Sequence, residues 1–242
     1  MNGVPAGQLP ADRMVGQAVR HTRSMPVPAD RAEEVGVDRA DRLRRPARGR
    51  PARYSREELL GLIVAVFNER GYEAASMADL AAATGLTKSA FYHHFTSKEE
   101  LLEMAVDRAL AALSQALDTV TQMPDGPVER LEQAIRLTTE ILIDQLPFVT
   151  LMLRIRGNTA LEREALARRR KIDARLAALV AAAAQAGEIR SDIDPRLVSR
   201  LLFGMINSIH EWYRPGSRTN SRQSIVNGAV SLALDGLRRH PE

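Results

Sequence analysis

The chain has 242 residues, of which 26% are charged and 4% are aromatic, and none is a cysteine. A chain without cysteine has no disulfide, no thiolate nucleophile and no cysteine-ligated zinc or iron–sulfur cluster. No apolar run approaches the roughly 18 residues that a membrane-spanning helix needs, and Met1–Pro10 lacks the apolar core of a signal peptide. We therefore expect a soluble, cytoplasmic protein that is long enough to bury a hydrophobic core.

Positive charge is concentrated at the start of the chain. Residues 1–53 carry eleven arginines against six acidic residues, with six of the twelve prolines and no aromatic residue. Such a segment cannot bury enough apolar surface to offset the entropy of ordering, which predicts a disordered basic extension. Arg48 and Arg50, within Arg-Gly-Arg-Pro, resemble an AT-hook that enters a narrow minor groove. A solubilising leader or an over-extended gene start remains an equal alternative for residues 1–38.

From residue 54 onward the apolar residues follow helical spacing, and no segment shows a convincing strand pattern. The first helix is predicted to begin at Ser55, where Glu58 completes a capping box, and to end near Gly71. Caps, prolines and glycines delimit the other helices. These predicted helices begin at Ser76, at Thr87 (ending at Phe95), after Ser97, at Pro127, at Phe148 (to about Arg156), at Thr159 (to Ala186), after Asp194 (ending at Arg214-Pro215-Gly216) and at Ser221 (to Leu237).

Two short capped helices joined by residues 83–86 are typical of a helix-turn-helix motif. The turn needs a residue that tolerates a positive φ, and Gly85 supplies it. In the following helix Phe91 and Phe95 lie four residues apart and are expected to face the core, which leaves Tyr92 and His93 on the outer face. The first turn of this helix begins with Thr87, Lys88 and Ser89, whose polar groups are suited to base edges and phosphates.

This region resembles the DNA-binding domain of the tetracycline-repressor (TetR) family. The resemblance covers roughly Arg56–Leu102 and is carried by the stretches GYEAASMADLA, TGLTKSAFYHHF and SKEEL. It implies an all-α, nine-helix fold, with a helix-turn-helix domain over residues 54–101 and a ligand-binding and dimerisation domain over residues 102–242. It also implies a homodimer on a palindromic double-stranded operator, with most such proteins acting as repressors that a small molecule releases.

The resemblance also assigns roles to individual residues. Thr87, Lys88 and Ser89 fall where family members contact bases or nearby phosphates. Tyr92 and His93 occupy the pair that grips the DNA backbone, although His93 departs from the usual tyrosine. Further phosphate candidates are Lys98, at a helix N-terminus, and Ser76, while His94 is left open between packing and phosphate contact.

The last two helices are apolar on more than one face, so each must be buried on more than one side. The resemblance implies that they form a four-helix interface between two subunits, and packing within one subunit is the alternative. A ligand pocket is expected among the fourth to eighth helices. Its candidate residues, for which ordinary core or surface placement is the alternative, are Phe148, Met152, Arg154 (or Arg156), Met205, Asn207, Ile209 and Trp212.

Residues 211–216 (Glu-Trp-Tyr-Arg-Pro-Gly) are similar to the end of the eighth helix in TetR-type regulators of steroid and fatty-acid catabolism that respond to acyl-CoA esters. An acyl-CoA effector would need an apolar pocket with a basic mouth. The run of basic residues 168–171 could supply that mouth, or it could be an ordinary solvated helix face.

Enzymatic motifs are absent: the sequence has no nucleophile elbow, phosphate-binding loop, zinc-protease motif or dinucleotide fingerprint. The adjacent His93 and His94 diverge by about 100° on a helix and cannot chelate one metal ion together. We therefore predict no enzyme activity, no metal and no cofactor. The alternative function is a non-specific architectural DNA-binding protein that uses its arginine-rich extension.

Overall fold

The computed structural model describes residues 55–216 and 220–238, which form nine α-helices and contain no strand. The helices are α1 (Arg56–Arg70), α2 (Met77–Thr84), α3 (Lys88–His94), α4 (Lys98–Gln122), α5 (Pro127–Asp144), α6 (Leu146–Leu153), α7 (Ala160–Gln185), α8 (Pro195–Trp212) and α9 (Arg222–Leu237). The predicted all-α, nine-helix fold is thereby confirmed. Within the same two ranges, no helix is both long enough and apolar enough to cross a membrane. The extension predicted to be disordered, residues 1–53, lies outside the described residues.

Capping residues set the helix ends at the predicted positions. At the start of α1, the backbone N–H of Glu58 donates to Ser55 Oγ over 3.2 Å, and the N–H of Ser55 donates to the Glu58 carboxylate over 2.8 Å. The Ser55 hydroxyl also donates to this carboxylate, and the hydrogen bonds from the Ser55 backbone and hydroxyl hold the pKa of Glu58 below its usual value. At the end of α2, Gly85 adopts the left-handed conformation with φ 67°, as the turn requires.

Helix α6 differs from its prediction, since it spans Leu146–Leu153 rather than Phe148 to about Arg156. Pro147 sits inside the first turn, where a proline is tolerated because its missing N–H has no intrahelical partner there. The helix also ends early, because the carboxylate of the buried Glu162, from α7, accepts the backbone N–H groups that follow. Those donors belong to Arg156, Gly157 and Asn158.

Helices α1, α2 and α3 pack together over the fully buried rings of Phe67, Phe91 and Phe95. The longer helices α4, α5, α7 and α8 surround a second part of the same apolar core, and α9 packs mainly on α5. Helix α6 joins the two parts, because it contacts α1 on one side and α4, α5 and α8 on the other, and α4 adds a smaller contact with α1. Any movement of α6 therefore affects both parts.

Two contacts fasten α6 to the C-terminal end of α1. The side-chain amide of Asn68 donates to the carbonyl of Pro147 over 2.8 Å, and the guanidinium of Arg154 donates to the carbonyl of Asn68. We call this pair of hydrogen bonds the α1–α6 clamp. The Oδ1 atom of Asn68 is buried without a hydrogen-bond partner, so one side of the clamp is left unsatisfied.

The apolar residues of the last two helices divide between the interior and the surface of the subunit. Helix α9 buries Val226, Val230 and Leu237 within the subunit, which is the alternative that the sequence left open. By contrast, the side chains of Leu197 and Leu201 on α8 are 49% and 61% exposed, and Leu232 on α9 is 71% exposed. A single subunit therefore leaves these three apolar side chains uncovered.

Candidate functional site

The buried side of α3 determines which of its residues face outward. The rings of Phe91 and Phe95 pack 5.4 Å apart, centre to centre, and both are fully buried. Because these positions lie one helical turn apart, the side chains of Tyr92 and His93 point away from the core. Tyr92 is 43% exposed, and His93 is also exposed. The predicted orientation of α3 is therefore confirmed.

The outer side of α3 forms a shallow concave surface, and the volume within the concavity is about 550 Å³. It is lined by Thr87, Ser89, Ala90, Tyr92 and His93. Lys88 lies beside it and is exposed, with no hydrogen bond or ion pair to the described residues. Thr87 caps the helix by accepting the N–H of Ala90, which leaves its hydroxyl proton free to donate outward. The surface thus combines hydroxyl donors, a cation and an aromatic ring, the groups that contact phosphates and base edges.

Ser76 and Lys98, the two other predicted phosphate contacts, are engaged within the protein. Ser76 directs both its hydroxyl and its backbone N–H to the carboxylate of Asp79, over 2.5 and 3.0 Å. Both hydrogen bonds lower the pKa of Asp79, and the one from the Ser76 hydroxyl has the larger effect. The ammonium of Lys98 donates to the carbonyls of Tyr72 and Glu73, over 2.9 and 3.2 Å, and lies 4.5 Å from the centre of the Tyr72 ring. Two of its three donors are thus already occupied.

A small cavity lies among the five helices α4 to α8. The space inside it that the centre of a water molecule can reach is about 20 Å³, which is room for about one water. Its walls are mostly apolar. The lining residues are Leu113, Thr138, Leu142, Val149, Met152, Leu153, Arg169, Ile172, Asp173, Phe203 and Asn207.

The polar part of this lining includes a carboxylate and a guanidinium on adjacent turns of α7. Burial raises the pKa of Asp173, while the positive charges of Arg169 and Arg200 oppose that rise without cancelling it. An ionised Asp173 is therefore less stable here than in water. Perturbed carboxyl groups that line a cavity are frequent at binding sites.

The predicted ligand residues are divided by the structure. Met152 and Asn207 line the cavity together. Phe148 instead packs under the guanidinium of Arg108, 4.4 Å from its ring centre, and Arg154 belongs to the α1–α6 clamp. The others lie away from the cavity lining: Met205 is half-buried, Ile209 is buried, and Trp212 and Arg156 are exposed.

Sequence reasoning missed Thr138, Asp173 and Phe203 as cavity residues. Arg169 belongs to the basic run 168–171, and the run alone does not distinguish it from its neighbours as a cavity residue. One signal was available, since Arg169 and Asp173 lie four residues apart and must share one face of a helix. Arg48 and Arg50, the proposed minor-groove residues, lie outside the described residues.

Replacing Lys98 with Met is expected to lower the free energy of unfolding by about 1–3 kcal/mol, because two carbonyls lose a charged donor. Urea or thermal unfolding at fixed protein concentration measures the change. Lys88→Met is the matched control and should stay within about 0.5 kcal/mol of wild type, since Lys88 has no such contacts. Equal stability of the two variants would contradict a positioning role for Lys98.

Asp173→Asn is expected to raise the melting temperature at pH 7. The raised pKa means that keeping Asp173 ionised costs folding free energy, and this cost develops as the pH rises above the unfolded value of about 3.9. The gain should therefore shrink as the pH is lowered from 7 towards 4. Scanning calorimetry over this range measures it, with the exposed Asp125→Asn as control. A gain that is independent of pH would rule out this explanation.

Family models match both parts of the described chain. The model described as bacterial regulatory proteins, tetR family, matches residues 59–105, and the one described as tetracyclin repressor-like, C-terminal domain, matches residues 124–237. The first range includes the concave surface of α3, and the second includes most of the helices around the cavity.

Three known proteins are similar to this chain over most of their own length. SCO3833, a TetR-family regulator of Streptomyces coelicolor A3, is 47% identical with a TM-score of 0.69, over 78% of this chain and 94% of that one. The transcriptional repressor KstR2 of Mycobacterium tuberculosis is 28% identical over 75% of this chain and 92% of its own. AibR, whose crystal structure contains isovaleryl coenzyme A and operator DNA, is 27% identical with a TM-score of 0.63, over 73% and 96%.

The order of the nine described helices, the exposed face of α3 and these matches all indicate the same family. Members of the matched family are DNA-binding transcription factors and not enzymes. The chain belongs to the TetR family of transcriptional regulators.

Proposed function

We propose that this protein is a cytoplasmic, homodimeric repressor that binds a palindromic operator and is released from it by a small-molecule effector, a CoA thioester. The observation that carries the DNA-binding part is the outer side of α3. Thr87, Lys88, Ser89, Tyr92 and His93 all remain exposed there while the opposite side is held by two buried phenylalanines. In this proposal the first three contact bases or nearby phosphates, and the last two contact the DNA backbone.

Ser76 and Lys98 take a different place in the proposal. Their donors are directed to Asp79 and to the α1–α2 turn, so they position the helix-turn-helix more than they contact DNA. Lys98 keeps one donor for a phosphate. This division favours phosphate contacts through the exposed residues of α3 over contacts through Ser76.

The exposed leucines support a dimer formed through α8 and α9. Leu197 and Leu201 lie one turn apart on α8, and Leu232 is the most exposed of the large apolar side chains on α9. Glycines on the same helices, at Gly204, Gly228 and Gly236, have open space where a Cβ would point, which allows close approach of a second backbone. A symmetric dimer would place two copies of α3 about 34–36 Å apart, in successive major grooves.

The size of the cavity supports release by the effector. A space for about one water cannot hold an acyl chain, so an effector that binds there must push the surrounding helices apart. Helix α6 supplies three of the lining residues, Val149, Met152 and Leu153, and it is fastened to α1 by the α1–α6 clamp. Opening the cavity would therefore move α1 and, through α2, the α3 that packs on α2. The CoA thioester is suggested by the similarity to AibR.

DNA binding is tested by fluorescence anisotropy of the full-length protein with duplexes from the region upstream of its own gene. A specific repressor should prefer one fragment over scrambled DNA by about 10³-fold or more. Lys88→Ala and Ser89→Ala should change the preferred sequence, whereas Arg48→Ala/Arg50→Ala should leave the preference intact. If the latter variant abolished all binding and wild-type binding disappeared steeply with salt, the architectural alternative would be favoured instead.

Arg154→Met is expected to weaken the response to effector without abolishing DNA binding, because it removes one hydrogen bond of the α1–α6 clamp. Operator affinity without effector should change little. The loss of affinity caused by saturating CoA thioester, with isovaleryl-CoA as the first probe, should shrink by about fivefold or more. Arg156→Met, exposed and two residues away, is the control. An unchanged effector response in Arg154→Met would remove α6 from the proposed route.

A further inference from the structure

The arginines of α7 fall on faces with different electrostatic surroundings. Arg168 and Arg175 face α4, where they form ion pairs with Asp107 and with Asp118. Arg170, which faces α8, has no carboxylate within 4.0 Å among the described residues. The positive charge on the α8 side is thus not neutralised in the way that the charge on the α4 side is.

Arg170 lines an open groove between α7 and α8 together with Arg196 and Arg200. We call it the α7–α8 groove. The space inside it that the centre of a water molecule can reach is about 240 Å³. The small side chains of Ala174 and Ala177 leave this space free on the α7 side. Neither Arg196 nor Arg200 has an ion pair within 4.0 Å in the part of the chain that the structure describes.

The groove contains one carboxylate, that of Asp173, against three guanidinium groups. A concave surface with this excess of positive charge attracts anions and focuses their approach. Guanidinium groups bind phosphate through paired, charge-assisted hydrogen bonds, which makes phosphate the ligand that best fits three arginines. The groove is therefore suited to a ligand that carries more than one phosphate.

Asp173 also connects the groove to the cavity, because it lines both. Its backbone carbonyl accepts the hydroxyl proton of Ser199 over 2.9 Å, which ties α7 to α8 at this point. Asp173 is thus the residue that the groove and the cavity share, at a point where α7 and α8 are held together. The groove is already open, whereas the cavity holds about one water.

We propose that the α7–α8 groove is an effector head-group site, in which Arg170, Arg196 and Arg200 bind the phosphates of coenzyme A. This assignment rests on the proposed function for its choice of a CoA thioester, and it adds a location and an order of events. The phosphates bind first, in a groove that exists without ligand, and the acyl group then opens the cavity past Asp173.

The test is isothermal titration of the full-length dimer, without DNA, using free coenzyme A, adenosine 3′,5′-bisphosphate, pantetheine and inorganic pyrophosphate. Coenzyme A should bind, the bisphosphate more weakly, and pantetheine, which has no phosphate, not at all. Affinity should fall as salt rises. No binding of coenzyme A at about 1 mM ligand, which corresponds to a binding free energy of only about −4 kcal/mol, would overturn the proposal. Pyrophosphate binding as tightly as coenzyme A would overturn the assignment to coenzyme A in favour of free phosphate anions.

Variants locate the binding. Arg170→Gln and Arg200→Gln should each weaken coenzyme A binding by about tenfold or more, as the loss of a charged hydrogen bond predicts. Arg175→Gln is the matched control, because it removes the same charge from the same helix on the face paired with α4. Equal losses in all three variants, or none in the groove variants, would overturn the site.

Two further readouts separate this proposal from its alternatives. Arg200 neighbours the exposed leucine Leu201, so sedimentation of Arg200→Gln shows whether the substitution affects the dimer instead. Arg170, on α7, provides an independent variant should it do so. Operator binding without ligand should be unchanged in Arg170→Gln. A protein that binds coenzyme A through the groove but no promoter fragment would refute the proposed function while leaving this site intact.

Discussion

The close packing of five helices around a cavity with room for about one water is the constraint from which the proposed mechanism follows. A protein interior at this density does not deform continuously, so a ligand larger than a water has to displace a helix. Helix α6, which contributes three of the lining residues, also contacts α1, and α4 does so less extensively. A ligand that opens the cavity therefore also changes the contact between α6 and the helices of the DNA-binding part, α1 to α3.

Helix α7 shows how one amphipathic element serves three environments. One face pairs its arginines with the carboxylates of α4. A second face contributes Arg169 and Ile172 to the cavity, and a third contributes Arg170 to the α7–α8 groove. A run of basic residues that looks uniform in the sequence is thus divided by helical geometry into charges that are paired and charges that are not.

The sequence was sufficient for features that depend on neighbouring residues. The capping boxes, the positive φ of Gly85 and the outward direction of Tyr92 follow from local spacing, and each was predicted. Features that depend on distant residues were missed. Lys98 reaches the carbonyl of Tyr72 across 26 positions, and α6 ends early because Glu162 takes up the N–H groups that follow it. The cavity likewise draws on five helices, so its lining could be only partly anticipated.

The unpartnered Oδ1 of Asn68 has a thermodynamic consequence for the balance between two conformations. A buried carbonyl without a donor costs about 1–3 kcal/mol, which is about the size of the coupling free energy in ordinary allosteric proteins. Any rearrangement at the junction of α1 and α6 that admits a solvent molecule to this atom recovers that cost. The closed arrangement of this junction would thus be favoured by less free energy than its other contacts alone would give it.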